Sequence, residues 1–223
     1  MFFIQSLIIL CCLILGYLFG SISSGTILSK KIYGKDIREL GSKNSGATNM
    51  GRIFGLKIGL IVIILDMLKT IIPIWITFFV LNKTSLVKYE LGNVGHLLCG
   101  ISAIIGHCFP IFFSFKGGKA VSSYAGFIAA TSWFLIPIGL VLYLIILKIQ
   151  KKVSLTSIIV SFVIACISLT LMYLPSYFMN FNMNSGLNYS VSLFISSLIL
   201  IFRHKDNIKR IISGKESKIK WMK

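Results

Sequence analysis

The chain has 223 residues, 56% of them hydrophobic and 13% charged, with a mean hydropathy of +0.88; a soluble domain carries about a quarter charged residues, so that class is excluded. Lys and Arg number 23 against 6 Asp and Glu, a net charge of +17, yet nucleic-acid binding expects a polar body beneath its basic patch, and disorder expects few apolar residues. The composition is that of an integral membrane protein with basic punctuation.

No charged residue precedes Lys30, so the first apolar stretch runs from residue 2 to about 28. It is too long for a signal-peptide core and lacks the basic flank such a peptide needs, which predicts a first spanning helix. A polar, basic segment follows over 29–57. The second apolar stretch, 58–81, holds Asp66 and Lys69, and the third, 91–113, holds His96 and His107. A short basic loop at 114–119 leads into the uncharged stretch 120–147, which ends at Lys148, Lys151 and Lys152. Residues 153–202 carry no charge, and Asn180, Asn182, Asn184, Gly186 and Asn188 divide them into two helices. The tail from Arg203 onward is basic. Five cysteines (Cys11, Cys12, Cys99, Cys108, Cys166) lie in apolar stretches without CxxC spacing. They predict buried, inert thiols rather than disulfides or a zinc site.

Cytoplasmic loops of membrane proteins are enriched in Lys and Arg. Of the 23 cations here, 20 fall in four segments: 30–57, 116–119, 148–152 and the tail. Placing all four inside puts the N-terminus outside and the C-terminus in the cytoplasm, with an odd number of crossings. Residues 120–147 then cross twice, as a hairpin of two short or tilted helices turning near Thr131–Trp133, although two full spans need about 20 residues each. The expectation is an all-α, polytopic membrane protein of seven transmembrane helices, forming a single domain over 1–223, with cytoplasmic motif loops at 34–52, 106–121 and 203–216. No internal repeat of the kind found in secondary transporters is present.

Those loops have unusual composition. The first reads Gly34-Lys-Asp-Ile-Arg-Glu-Leu-Gly-Ser-Lys-Asn-Ser-Gly-Ala-Thr-Asn49, followed by Arg52. Glycines let backbone N–H groups converge on an anion. Ser42, Thr48 and Asn49 add donors, and Arg38 and Arg52 add permanent planar charge, as a phosphate site requires. A solvated turn with topology-setting charges accounts for the same residues. The second segment, Gly106-His-Cys-Phe-Pro110 with Phe115-Lys-Gly-Gly-Lys119, lacks the spacing of a nucleotide-binding P-loop. Its paired glycines and flanking lysines before an apolar span suit an anion, or are lysines reaching for the membrane boundary. In the third, His204 and Asn207 stand three apart and share a helix face. Asp66 and Lys69 can neutralise one another inside the second span; intramembrane charges default to a functional reading, and a structural pair is the equal alternative. Ser154 suits a helix N-cap, with Ser157 one turn on.

The chemistry that is missing narrows the reaction. The HxxxxD pattern of acyl-CoA-type acyltransferases is absent, since Phe112 and Lys209 stand five residues beyond His107 and His204. Paired carboxylates, HExxH and an aspartate cluster for a metal are absent as well. A reaction here must use an already activated donor and stabilise negative charge.

Together the segments resemble the three motifs of the bacterial acyl-phosphate-dependent glycerol-3-phosphate acyltransferases, the PlsY family. The matching residues are Gly20-Ser-Ile22, Asp36-Ile-Arg38 and 41–49; then 106–110 and 115–121; then Arg203, His204, Asn207, Ile208, Arg210, Gly214 and Glu216. The resemblance covers nearly the whole chain, in order. It implies acyl transfer from acyl-phosphate to the 1-hydroxyl of sn-glycerol 3-phosphate, giving lysophosphatidic acid and phosphate. It implies no cofactor, no metal and no nucleic acid. It puts the protein in the cytoplasmic (inner) membrane among membrane lipids, active on its cytoplasmic face, with the enzyme that supplies acyl-phosphate as a partner.

Residue by residue, the resemblance places Ser42, Arg52, Lys119, Ser157, His204 and Asn207 at the substrate. Of these, Ser42, Arg52, Lys119, His204 and Asn207 are the catalytic candidates; Gly117 and Gly118 shape the phosphate pocket, and Glu216 is structural. Their residue types add Arg38 and Asn49 to the substrate-binding set, and Asp66 and Lys69 are taken as a structural pair. The chain departs from the family pattern at Lys43 (usually Gly), Ser23 (often Pro), Ser122-Ser123 (often Ala-Thr) and Thr70 (typically Gly). The rival reading is a membrane transporter of a phosphorylated anion, which would want its cations at membrane depth.

Overall fold

The computed structural model describes residues 2–83, 92–183 and 186–219. Lys88, Asn184 and the last tail cations, Lys220 and Lys223, lie outside that range. The described residues form ten α-helices and no strand. Two compact units are present, Met1–Ala130 and Thr131–Lys223.

In the first unit, α1 (Phe2–Gly20) stops short of the predicted residue 28, because Ser21, Ile22 and Ser23 leave the helix before α2 (Ser24–Tyr33) begins. Short serines compete for backbone hydrogen bonds at such a break. A 3-10 turn (Ile37–Glu39) and α3 (Ala47–Phe54) follow, then α4 (Leu56–Lys83), α5 (Gly92–Cys108) and α6 (Val121–Thr131). At about 1.5 Å per residue, the 28 residues of α4 exceed the thickness of a bilayer core. α1 packs closely along α5: a Cβ added at Gly16 would fall on the Cys99 carbonyl, and one at Gly20 on that of Ala103. Small residues are what allow helices to approach this closely inside a membrane.

The second unit holds α7 (Leu135–Gln150), α8 (Val153–Ser168), α9 (Leu187–Arg203) and α10 (Lys205–Ile212). The helical break between Thr131 and Leu135 coincides with the predicted hairpin turn. It is held within this unit by Ser132 Oγ donating to the Phe178 carbonyl (3.0 Å) and the Trp133 indole donating to that of Tyr177 (2.8 Å). The regular helix ends at Ser168, some ten residues before the asparagine cluster, and 3-10 turns carry the chain from Leu169 onward. α10 continues α9 after a 62° bend.

Among the described residues, four helices are long and apolar enough to cross a membrane, five if the bent pair counts as one span. Their outward faces are apolar, with Leu60, Ile64, Phe162 and Leu198 exposed, as are Leu140 and Leu144 on the shorter apolar helix α7, which in water would be untenable and in lipid is required. The cysteine expectation is corrected in part: Cys12, Cys99 and Cys108 are buried, but Cys11 and Cys166 are exposed on the outward faces of α1 and α8.

Candidate active site

The first motif loop is built around one amide. Asn49, 2% exposed, donates from Nδ2 to the carbonyls of Ile37 (3.2 Å), Leu40 (2.9 Å) and Asn44 (3.0 Å). Its Oδ1 accepts the Ser42 N–H at 2.9 Å. Asn44 Oδ1 takes the Gly46 N–H (2.8 Å), which turns the chain into α3. Beneath the loop, Ile37, Met50 and Val62 form a fully buried apolar cluster. The result is a loop with a greasy underside, an internal amide hub, and Ser42, Lys43, Thr48 and Arg52 exposed on the other side.

Arg38 binds the loop to the second motif. Its guanidinium takes the Asp36 carboxylate in a fork (Nε–Oδ1 3.0 Å, Nη2–Oδ2 2.7 Å), and Nη1 donates to the Phe113 carbonyl at 2.9 Å. Asp36 also caps the 3-10 turn by accepting the Arg38 N–H. The hydrogen bonds from Arg38 outweigh partial burial and hold the Asp36 carboxyl well below the usual carboxylate range. The same carboxylate pushes the Arg38 pKa up.

In the second motif, Ser114 and Phe115 take left-handed backbone (φ 55° and 57°) and turn the chain back onto the end of α5. Gly118 N–H donates to the His107 carbonyl at 3.0 Å. Lys119, half-buried, and Ala120 then lead into α6. Below the turn, Asp66 and Lys69 form a buried ion pair at 2.9 Å, and Lys69 Nζ also donates to the Ile22 carbonyl at 2.6 Å.

The second unit carries the third motif. His204 is 3% exposed and sits at the bend between α9 and α10, with Nδ1 2.8 Å from the Leu200 carbonyl. A carbonyl can only accept, so Nδ1 carries the proton and Nε2 is the basic nitrogen. Glu216 accepts from Ser154 Oγ (2.6 Å) and Asn207 Nδ2 (2.7 Å) on one oxygen and from Arg210 Nε (2.8 Å) on the other. One carboxylate thereby ties tail, α10 and the first turn of α8 together. Ser157 Oγ donates to the Val153 carbonyl (2.9 Å) and lies 3.4 Å from the Tyr143 hydroxyl.

The profile of the family described as glycerol-3-phosphate acyltransferase matches residues 10–214. The chain is 43% identical over 212 residues to the glycerol-3-phosphate acyltransferase of Listeria monocytogenes serovar 1/2a, covering 94% of this chain and 96% of that protein. It is 37% identical over 220 residues to the enzyme of the same description from Staphylococcus aureus strain bovine RF122, covering 97% and 100%. This chain belongs to the glycerol-3-phosphate acyltransferase family. A crystal structure of PlsY, an integral membrane glycerol 3-phosphate acyltransferase, in its glycerol 3-phosphate form superposes with a TM-score of 0.77 at 30% identity, covering 95% of this chain and 96% of that one. The lysophosphatidic acid form of PlsY gives 0.76 at 29%.

For a PlsY-family acyltransferase, the placement of the sequence candidates divides in two. Ser42 and Arg52 are exposed above the first loop, and Lys119 follows the glycine turn of the second. Arg38 and Asn49, by contrast, spend their polar atoms on loop backbone and on Asp36. In the second unit, Asn207 and Ser154 converge on Glu216. Sequence reasoning passed over Asp36, Asn44 and His107. Asp36 and Asn44 each stand two residues before the N–H they accept, which is the Asx-turn signal. His107 stands in the second motif, but nothing in the sequence shows which groups its ring meets.

Proposed function

We propose that the protein transfers an acyl group from acyl-phosphate to the 1-hydroxyl of sn-glycerol 3-phosphate, forming lysophosphatidic acid and phosphate, as the first step of bacterial phospholipid biosynthesis. The observation that carries this reading is the Asn49 hub. It fixes the first motif as a rigid loop and leaves Ser42 and the Arg52 guanidinium exposed, a preorganised arrangement for a phosphate. Lys119, Ser157, His204 and Asn207 complete the substrate contacts, Gly117 and Gly118 shape the phosphate pocket, and Arg38 and Asn49 hold the loops.

The hydroxyl oxygen attacks the acyl carbon, the carbon–oxygen bond to phosphate breaks, and phosphate leaves with the bonding pair. A mixed anhydride has a good leaving group, so positioning and charge stabilisation carry most of the rate. The hydroxyl proton passes to an oxygen of the substrate's own phosphate, with Nε2 of His204 as the competing acceptor. In the His204→Gln variant near-normal turnover excludes His204 as base, whereas a collapse is common to the loss of a base and the loss of a ligand.

The same reading takes residues 1–223 as one acyltransferase domain with seven crossings, made by α1, α4, α5, α6, α7, α8 and α9. The N-terminus lies outside and the active site on the cytoplasmic face of the inner membrane, within reach of the enzyme that supplies acyl-phosphate. Positive loop charge supports that orientation. Against a transporter stands Lys69, a cation buried within α4, which is neutralised by Asp66 and tied to the Ile22 carbonyl. The deciding experiment gives purified protein glycerol 3-phosphate with either acyl-phosphate or acyl-CoA. Lysophosphatidic acid is expected from acyl-phosphate alone; product from acyl-CoA only, or from neither, overturns the proposal.

A further inference from the structure

The buried Asp66–Lys69 pair has a third member. Asp66, Lys69 and His107 are 2%, 6% and 6% exposed, and His107 Nδ1 lies 3.8 Å from Asp66 Oδ1. Taking a carboxylate into lipid-depth protein is costly unless it is paired, and Lys69 supplies that pairing at 2.9 Å. Since the two charges cancel, His107 is not required as a counter-ion. Its imidazole faces the carboxylate from α5, directly beneath the second motif.

The glycine turn rests on that residue at two points. A Cβ at Gly118 would fall on the imidazole itself, against Nε2, with Cε1 2.7 Å away. A Cβ at Gly117 would fall on the His107 carbonyl, with Pro110 Cδ at 2.6 Å. That carbonyl also receives the Gly118 N–H at 3.0 Å. The turn is therefore moulded to the imidazole and the backbone carbonyl of one residue, and the orientation of that ring decides where the next residue, Lys119, emerges.

We infer that His107 is a positioning residue for the phosphate of glycerol 3-phosphate: it is the floor on which the Gly117–Gly118 turn lies and so sets the placement of Lys119. The inference rests on the reading that this turn and Lys119 hold the substrate phosphate. The Asp66–Lys69 ion pair lies beside His107 and, taken together, adds no net charge beneath the anion.

The test uses the full-length protein in lipid, with KM and kcat measured for both substrates. Wild-type turnover of glycerol 3-phosphate with acyl-phosphate comes first; its absence would overturn the functional reading itself, a result distinct from any variant effect. His107→Ala is expected to raise the KM for glycerol 3-phosphate about tenfold, with kcat changed by less than about threefold and the KM for acyl-phosphate unmoved. Gly118→Ala is expected to do the same, because its methyl strikes the ring. In the double variant the methyl enters the space the imidazole vacates, so the combined rise is smaller than the product of the two. Should His107→Ala not accumulate, His107→Asn carries the same KM readout. A fall in kcat with both KM values unchanged, equal rises in both KM values, or simple multiplication in the double variant would overturn the assignment.

Discussion

At Lys43 the backbone takes φ 57°, in the left-handed region, where an L side chain costs about 1–2 kcal/mol and glycine almost nothing. The pattern the sequence resembles has Gly at this position, so this chain carries both strain and an extra charge in its first motif loop. Glycine also loses more freedom on folding, which offsets part of the gain. Lys43→Gly is therefore expected to stabilise the protein by roughly 0.5–1 kcal/mol, seen as a rise of about 1–3 °C in melting temperature. Lys43→Ala should give no such rise, because alanine keeps the Cβ. Asn49 lies at the other extreme. Asn49→Ala strips donors from three carbonyls and the acceptor from the Ser42 N–H. Unmet buried groups cost about 1–3 kcal/mol each, so the loop is expected to open, with faster proteolysis between 35 and 46 and glycerol 3-phosphate KM raised at least about tenfold. Arg52→Ala should weaken the same KM while leaving proteolysis unchanged, since Arg52 is exposed on α3. Residue type marks which side chains can donate; what sequence could not show is where donors are spent. Asn49 and Arg52 look equivalent until the fold closes residues 37, 40 and 44 around one of them.

Helices written by hydropathy alone were legible: α4, α5 and the division of 153–202 into two follow the apolar runs. Elements written by tertiary contact were not. α3 lies inside the segment that composition marks as polar and basic, and it forms because Met50 packs on Ile37 and Val62 while Gly46 and Asn44 turn the chain into it. The break after α1 was likewise hidden, its serines being too short to interrupt an apolar profile. The tail from Gly214 onward shows how a non-helical element gains order. Its anchor is Glu216, whose side chain is 7% exposed. Burial alone would raise the Glu216 pKa, but hydrogen bonds from Ser154, Asn207 and Arg210 outweigh it and hold the carboxyl below its ordinary value. A depressed folded value means the anchorage is fully present above the ordinary carboxylate range and is lost as pH falls through the lowered value. Hydrogen exchange of residues 214–219 is expected to stay protected throughout the ordinary carboxylate range and to rise only as pH falls through the lowered value. In Glu216→Gln, protection should already be roughly tenfold weaker at neutral pH, with no transition on acidification.

Across the whole molecule, charge has two uses that composition merges. Most of the 23 cations punctuate the apolar runs, while a few, Arg52 and Lys119 foremost, are proposed to hold phosphate. Arg38 belongs to neither group, since its fork on Asp36 and its bond to Phe113 make it a strut. The topological use makes a prediction about sidedness. If the segments 30–57, 116–119, 148–152 and the tail all face the cytoplasm, the end of α4 at Lys83 must face outward, because that helix begins beside the first basic loop and spans the core once. Single cysteines at Lys83, Lys116 and Lys218 report this directly in a background where Cys11, Cys12, Cys99, Cys108 and Cys166 are replaced; Lys116 and Lys218 are already exposed. A membrane-impermeant thiol reagent added to intact cells should label Lys83→Cys, and should label Lys116→Cys and Lys218→Cys only after permeabilisation. Labelling of Lys218→Cys in intact cells would make the number of crossings even, and would leave His204 and Asn207 on the face opposite to acyl-phosphate supply. Labelling of Lys116→Cys would put the glycine turn there instead. The acyltransferase reading therefore needs both of these positions inside and Lys83 outside, a requirement that the labelling pattern tests without any measurement of activity.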